Sequence, residues 1–402
     1  MSNTLGGAWA GVTDLFHTDN PSISPVSAEL LWETTEGMIS GVSYEYGEIS
    51  FNASGAEGNA LIVARDENDE IIWSWHIWST DEPQEHLYVN DLGSYTVLDR
   101  NHGATRADKG SGNEYFDAIG MLYQFGRKDP FYVSIKQDHG THADYEGHFE
   151  SIRGQFSTEQ SIKNPNTFAY GNNDWNTSSS ATQSWSGTSK SIYDPCPVGY
   201  RVATSDAWYG FTTNGSYTNS MNDIMFAGEW NCGAYFYYDG INTAWYSANA
   251  WIDNWGNISH GDYYKKTGHI WTSNYNNSVY YLFDSEYNCY FNRNNWNESA
   301  FGFPVRCMKD EKTNSVIVTT TEVSNVSTNS ADVTGRTSVY GDIEVLETGF
   351  VYGETSSVTI EDGTVISTGN ETGEMSAHLS GLKELTKYYV KAFVRIAGVD
   401  KP

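Results

Sequence analysis

Short strand-like segments separated by turn residues constrain the fold most, and they occur in two regions of the chain. From Ser27 to Trp78 the chain reads AELLWET, GVSYEY, EISFNAS, NALIVAR and IIWSWHIW, with Gly, Asp and Asn turns between them. From Val316 the pattern returns in VIVTTTEVSNVS, SADVTGRTSV, EVLETGFVYG, EMSAHLSGL and YYVKAFVRIAG. The first region predicts a small β-module over residues 1–90, and the second predicts a separate β-sandwich over residues 311–402.

Between these regions the sequence predicts two short helices. The stretch NEYFDAIGMLYQFGRKDPF has apolar residues at helical spacing from Phe116 to Tyr123, which is typical of a short amphipathic helix. A second helix is expected near Thr204, where TSDAW offers an N-cap before an acidic first turn. The Ser/Thr/Asn-rich stretch from Asn164 to Ser191 predicts a long surface loop.

The segment 231–300 has the composition of a recognition surface, with 13 Asn, 11 Tyr and 5 Trp but only three Lys and Arg. Tyr and Trp offer wide amphipathic contact area at low entropic cost, and Asn and Ser offer adaptable hydrogen bonds. The same mixture also suits β-structure with polar turns, whose aromatic rings fill a core. Both interpretations are compatible with the composition.

The order of residues within this segment favours exposure. From Tyr287 to Asn297 there is no clean two-residue alternation, so we expect an irregular exposed loop rather than a packed strand. Trp271 is expected in the core, because it lies in a strand that leads into the segment. The residues expected to contact a ligand are Tyr246, Trp251, Trp255, Tyr275, Asn276, Tyr287, Tyr290, Asn294 and Trp296.

Length and charge restrict the class of protein. A chain of 402 residues with 39% hydrophobic residues and no long apolar run predicts two to four soluble modules, without membrane insertion. The net charge of −28 repels phosphate backbones and so disfavours a nucleic-acid partner. The opening residues show neither a basic n-region nor an apolar h-region, so either a signal peptide has been removed or export does not use one.

Catalytic and metal motifs are weak in this sequence. There is no GxSxG, HExxH or phosphate-binding glycine loop, and no paired carboxylates stand out, so we expect no enzyme and no cofactor. The acidic run from Asp66 to Glu70 has calcium-like ligands but fits a hairpin turn between apolar strands better. The richest set of metal-ligand types lies in a glycine-containing loop without a rigid frame, so we expect no metal there; it comprises Asp138, His139, His142, Asp144, Glu146 and His148.

The four cysteines, Cys196, Cys232, Cys289 and Cys307, form no CxxC pair and no Cys/His metal spacing. Disulfides and buried thiols both remain compatible with this pattern. A redox-active pair of Cys232 and Cys289 is disfavoured, because Arg293 is the only basic residue near Cys289 in the sequence that could lower its pKa.

Two segments resemble a known family. YDPCPVGYRVATSDAW (Tyr193 to Trp208) and FGFPVRCMKD (Phe301 to Asp310) resemble the Fibrobacter succinogenes major paralogous domain, which belongs among C-type-lectin-like folds. With NALIVARDENDEIIWSWHIWSTD, LDRNHGA and MLYQFGRKDPF, the resemblance to Bacteroidetes surface proteins covers residues 27–310. It implies a Cys196–Cys307 disulfide and a C-type-lectin-like domain over residues 91–310. The fold class we expect is therefore α+β and β-rich.

The family resemblance has limits. The EPN or QPD and WND triplets of calcium-dependent sugar-binding lectins are missing between residues 91 and 310, so a calcium-bridged sugar is not implied. The segment from IWTSNYNNSVYYLF to GFPVRC is also similar to the variable regions of proteins diversified by retroelements. Asn274, Tyr275, Asn276, Asn277, Asp284, Tyr287, Asn288, Asn292, Asn294 and Asn297 fit the residue set that such mutagenesis leaves.

The C-terminal tail is similar to fibronectin type III-like modules. GLKELTKYYVKAF places Tyr388 where a corner tyrosine would lie. The sequence stops at Pro402, where a last strand would pair, and no leader strand is recognisable before Ala28. Either the chain is cut at these points or a neighbouring subunit exchanges strands with it.

Together these features predict an extracellular, non-enzymatic ligand-binding or adhesion protein on a cell surface or a phage virion. The expected partner is a protein or glycan on a host or bacterial surface, bound by aromatic contacts and side-chain hydrogen bonds. The alternatives are an architectural surface or pilus subunit without its own ligand, and a polysaccharide-active enzyme.

Overall fold

The structure is β-rich, with 52% strand and 6% helix. The chain divides into a larger unit, Thr4–Tyr44 with Ile49–Asp310, and a smaller unit that contains Glu311–Pro402. Within the described residues, no helix has the length and apolar character needed to cross a membrane. The computed structural model describes residues 2–5, 8–12, 23–45, 48–111, 114–139, 143–178, 185, 190–248, 250–258, 265–285, 288–310, 315–340 and 343–397.

The strands predicted between Ser27 and Trp78 are confirmed. Five strands form one sheet in the order β1-β2-β7-β6-β3, and β4 pairs with β5. The acidic run between β6 and β7 is a turn, in which the Asp66 carboxylate accepts hydrogen bonds from the backbone N–H groups of Asn68 and Glu70. These strands are β1 (Ser2–Leu5), β2 (Ala8–Val12), β3 (Ser27–Glu33), β4 (Ile39–Glu45), β5 (Glu48–Ala53), β6 (Gly58–Arg65) and β7 (Ile71–Thr80).

A four-stranded sheet, with strand order β15-β23-β9-β8, carries the disulfide expected from the family resemblance. Cys196 and Cys307 are bonded at an S–S distance of 2.02 Å, and both lie in a buried cluster with Val202 and Val305. The expected boundary between residues 90 and 91 falls inside the β8–β9 hairpin, so the structure does not separate the chain there. The strands are β8 (Glu85–Asn90), β9 (Gly93–Asn101), β15 (Tyr200–Val202) and β23 (Arg306–Lys309).

The helix expected from Phe116 to Tyr123 is wrong in extent. A 3-10 helix covers Glu114–Ala118, Gly120 then takes a positive φ of 78°, and strand β10 (Leu122–Gln124) follows. At Gly120 a Cβ would lie 2.6 Å from the His102 carbonyl oxygen, so the turn requires glycine. Near Thr204 the expected helix is a 3-10 helix, Ser205–Phe211, with Thr204 at its N-cap position.

Short elements connect the sheets of the larger unit. The stretch expected to be a loop from Asn164 onward contains strand β14, which pairs in parallel with β13. These elements are β10 (Leu122–Gln124), β11 (Val133–Asp138), β12 (Ala143–Gly147), β13 (Glu150–Arg153), α1 (Thr158–Lys163), β14 (Thr167–Tyr170), a 3-10 helix (Met221–Asp223) and β22 (Gly302–Pro304).

The Asn/Tyr/Trp-rich segment forms two three-stranded antiparallel sheets. The irregular loop expected from Tyr287 to Asn297 is therefore wrong for its described residues, since Asn288–Trp296 is strand β21 paired with β20. Two register shifts in this pairing explain why the sequence lacks a clean alternation. The strands are β16 (Phe226–Ala227), β17 (Gly233–Tyr237), β18 (Thr243–Ser247), β19 (Thr267–Trp271), β20 (Asn277–Ser285) and β21 (Asn288–Trp296).

The smaller unit has two three-stranded sheets, β24-β25-β28 and β27-β26-β29, around a core that includes Val333, Phe350 and Leu379. The Tyr388 hydroxyl accepts a hydrogen bond of 3.2 Å from the backbone N–H of Lys383. This bond fastens the chain just before its last described strand. The strands are β24 (Ser315–Ser324), β25 (Ser330–Tyr340), β26 (Val345–Gly353), β27 (Thr364–Gly369), β28 (Gly373–Ser380) and β29 (Tyr389–Ile396).

Candidate ligand-binding face

The sheet β19-β20-β21 has one side in the core and another side rich in aromatic rings. Ile270, Val279, Tyr281 and Phe291 belong to a buried cluster with Phe236. Because side chains alternate along a strand, the neighbouring residues point to the opposite side. Of the predicted ligand contacts on these strands, Tyr290 lies on that side, next to inward Phe291.

Tyr246 does not lie on this aromatic side and is a correction to the predicted site. It is 1% exposed, and its ring lies 3.9 Å from the guanidinium carbon of Arg306. Its hydroxyl is 2.8 Å from the Tyr88 hydroxyl and accepts a hydrogen bond of 2.8 Å from the Trp208 indole N–H. Tyr246 is therefore a hydrogen-bonded core residue, and we leave it out of the candidate face.

Five rings form a continuous row, which we call the aromatic row. The row begins at half-buried Trp251, whose ring centroid lies 5.2 Å from that of His269. The His269 centroid lies 4.6 Å from that of Tyr280. From Tyr280 to Tyr290 the distance is 4.9 Å, and from Tyr290 to Tyr217 it is again 4.9 Å. Buried Phe303 stacks on His269 near one end of the row. The other end is Tyr217, which is 48% exposed.

His269 keeps the row uncharged. Burial lowers the pKa of its imidazole to about 3, so the ring is neutral at physiological pH. Its two neighbours in the row contribute half-buried aromatic surface. The row is thus an apolar strip with hydroxyl groups on its tyrosines, which suits contact with another apolar or amphipathic surface.

Two further aromatic side chains are exposed outside the row, Tyr275 in the β19–β20 turn and Trp296 at the end of β21. Trp296 pairs with Asn277, two residues from inward Val279, so it faces the other side of the sheet from Tyr280 and Tyr290. Tyr275 is 40% exposed and Trp296 is 63% exposed. Between them Asn276 is only 5% exposed, has a positive φ of 53°, and its carbonyl accepts a hydrogen bond of 2.8 Å from the Asn297 N–H. Asn276 is therefore a turn residue rather than a ligand contact, which is a second correction.

The remaining predicted residues are dispersed. Trp255 is 61% exposed, in a turn where the Asp253 carboxylate accepts the N–H groups of Trp255 and Asn257. Asn294 is exposed on β21. Tyr287 lies outside the described residues. Trp271, expected in the core, is fully buried, and its indole N–H donates to the Tyr123 carbonyl at 2.8 Å.

Three members of the row, Tyr217, His269 and Tyr280, were not predicted from the sequence. Tyr280 lies between the core residues Val279 and Tyr281, so a strand assignment would have placed it on the outer side. His269 faces Tyr280 directly across the sheet. Tyr217 joins the row through a long-range backbone contact, the Thr218–Phe291 bridge, for which the sequence offers no local signal.

Several side chains of the segment from Asp138 to His148, where we expect no metal, contact other residues of the protein. Asp138 pairs with Lys265 at 3.0 Å, and the Nε2 atom of His148 lies 2.7 Å from the Ser134 hydroxyl. His142 lies outside the described residues. In the part of the chain that the structure describes, no group of three or more His, Cys, Asp or Glu side chains is placed to hold a metal ion.

Cys232 and Cys289 are free thiols rather than a second disulfide. Burial raises the pKa of each thiol, which keeps both protonated at neutral pH and lowers their nucleophilicity. The Cys289 thiol donates weakly to the Asn219 carbonyl at 3.6 Å.

Comparison with known proteins identifies no relative, because no family model, no curated protein and no solved structure matches the chain.

Proposed function

We propose that this protein is a non-enzymatic extracellular binding protein that recognises a protein or glycan through the outer side of the β19-β20-β21 sheet. The recognition surface consists of the half-buried and exposed rings of the aromatic row, Trp251, Tyr280, Tyr290 and Tyr217, which the buried His269 connects. Tyr275, Asn294 and Trp296 are peripheral candidates, since they are exposed but outside the row. Trp255 is a separate, peripheral candidate. The continuity of the ring contacts from Trp251 to Tyr217 is the observation that carries the proposal.

The arrangement of the rings supports binding rather than packing. Tyr217, Tyr275 and Trp296 keep 40–63% of their surface accessible, although large aromatic side chains gain most when they are desolvated. Tyr and Trp also dominate the energetics of protein interfaces and supply flat surfaces for sugar rings. Because the central rings His269, Tyr280 and Tyr290 lie on paired strands, a partner would bind there with little loss of backbone entropy.

The scaffold fits the expected class and location. The larger unit is proposed to contain a C-type-lectin-like domain, a proposal that the disulfide between Cys196 and Cys307 supports. Disulfides persist in oxidising environments, which favours a cell-surface or virion location. The smaller unit is proposed to be a fibronectin type III-like spacer, supported by its two sheets and the Tyr388 hydrogen bond.

The experiment compares the wild-type chain with a triple variant of the aromatic row, Tyr217→Ala, Tyr280→Ala and Tyr290→Ala, on protein and glycan arrays. Aromatic residues at the centre of an interface each contribute about 2 kcal/mol or more, so we expect the triple variant to bind its ligand at least about 30-fold more weakly. Affinity for the array hit is then measured by calorimetry.

The matched control removes three exposed apolar side chains that are not part of the row, Leu87→Ala, Leu92→Ala and Ile241→Ala, which are 54%, 47% and 81% exposed. This control should retain wild-type affinity. An architectural subunit would bind nothing on either array. A polysaccharide-active enzyme would release products from a glycan and stop when one carboxylate is removed. Equal affinity of the triple variant and the wild type would contradict the proposed face.

A further inference from the structure

A cleft of about 480 Å³ opens on the larger unit and shares no lining residue with the aromatic row. Its walls come from the β3–β4 turn, the start of β6, the segment after β9 and the β11–β12 hairpin. The volume lies within the range typical of sites for small ligands. The cleft therefore needs its own explanation, separate from the proposed face.

The floor of the cleft is held rigidly from inside. The Asn59 side chain donates to the Gly103 carbonyl at 2.8 Å, and its Oδ1 atom lies 2.9 Å from Nε2 of buried His76. Gly103 has a φ of 83°, and a Cβ there would lie 2.5 Å from Cγ of Met121. This close packing fixes the shape of the floor before any ligand arrives, which reduces the entropic cost of binding.

The polar groups of the cleft offer both acceptors and donors. The Asp117 side chain has no hydrogen bond or ion pair within the described residues, and partial burial raises the pKa of its carboxyl. The Thr34 hydroxyl accepts the Asn59 N–H at 2.9 Å, which leaves its own proton free to donate. Thr105 lies beside Asp117, since its N–H donates to the Asp117 carbonyl at 3.0 Å.

Aromatic rings complete the lining. Phe116 and Tyr145 meet edge to face with centroids 6.5 Å apart. Tyr132 is fixed by stacking on His148 at 4.6 Å. Rings beside hydroxyl groups and an unpaired carboxylate are suited to a ligand that is both amphipathic and rich in hydroxyl groups.

We propose that this cleft binds a neutral saccharide unit, with Asp117 as the acceptor for its hydroxyl groups. A sugar presents a C–H face to an aromatic ring and hydroxyls that both donate and accept. Anionic ligands are repelled by Asp117 and Glu57, which both line the cleft. An ammonium ligand would satisfy the carboxylate but would leave the hydroxyl donors of Thr34 and Thr105 without acceptors.

The test is calorimetry on the full chain with a panel of neutral mono- and disaccharides, and with tetramethylammonium and a free hexuronic acid as comparison ligands. A lost hydrogen bond to a charged group predicts that Asp117→Asn weakens saccharide binding at least about tenfold. Thr105→Val should weaken it several-fold. Asp91→Asn, the same change at an exposed position outside the cleft, should leave affinity unchanged.

Thermal melting of each variant verifies folding, and if Asp117→Asn is unstable then Thr105→Val decides. The triple variant of the aromatic row should keep saccharide binding in the cleft, so failure of one site is distinguishable from failure of the other. The proposal is overturned if no neutral saccharide binds at millimolar concentration or if both cleft variants bind as wild type. It is also overturned if tetramethylammonium or the uronic acid binds more tightly than every neutral sugar.

Discussion

Removing the disulfide should destabilise the larger unit far more than removing a buried free thiol. Cys196 and Cys307 are 111 residues apart in sequence, and closing a loop of that length stabilises by about 5 kcal/mol in the chain-entropy model. The double variant Cys196→Ala, Cys307→Ala should lose roughly this amount, because both positions are fully buried and alanine fits the apolar cluster. With a urea m-value of about 3 kcal/mol/M, the midpoint should fall by about 1.7 M.

Tryptophan fluorescence is a selective assay for this prediction. All 14 tryptophans precede Glu311, so the signal follows the larger unit and is blind to unfolding of the smaller one. Cys289→Ala is the matched control, because it removes a buried sulfur that closes no loop. A typical cost for such a change is about 1 kcal/mol. If the double variant lost no more stability than this control, the loop-closure reasoning would be refuted.

Two further predictions concern the core. Tyr246→Phe should cost about 1–3 kcal/mol, because it leaves the buried Trp208 indole N–H without its acceptor; urea unfolding should show no such loss for Tyr235→Phe, whose ring is 37% exposed. Burial lowers the pKa of His76 and of His269 to about 3, so the unfolded chain binds more protons below its ordinary histidine pKa. The contribution of these histidines to the free energy of unfolding is therefore fully present above about pH 6.5. It should fall by about 1.4 kcal/mol per pH unit for each histidine as the pH is lowered toward about 3. Urea midpoints that stay constant from pH 7 to pH 5 would contradict this.

Local sequence patterns predicted the elements whose structure depends on neighbours in the chain. The N-terminal strands follow from alternation and turn residues, and the Asp66 turn follows from side-chain acceptors two and four residues before the N–H groups that they bind. The helix predicted from Phe116 to Tyr123 is too long, because Gly120 adopts a left-handed conformation that apolar spacing cannot reveal. The β21 strand was missed because register shifts displace its alternation.

The candidate face depended on contacts that are distant in sequence. Tyr246 and Tyr290 have similar surroundings in the sequence, yet one is buried and the other is half-buried. The difference comes from the second layer over Tyr246, where the Tyr88 hydroxyl arrives from 158 residues away. Composition identified the right segment, whereas only the packing of the sheet assigns each ring to the inner or the outer side.

The two sides of the β19-β20-β21 sheet have different roles, since the inward side packs in the core and the outward side is proposed to bind a partner. Its inward residues, such as Phe291, are constrained by the core, whereas outward positions such as Tyr280 and Tyr290 are only half-buried. Substitutions at exposed strand positions usually change stability by less than about 0.5 kcal/mol. A lineage, or a laboratory library, could therefore replace outward side chains and change the partner repeatedly while the same framework continues to fold.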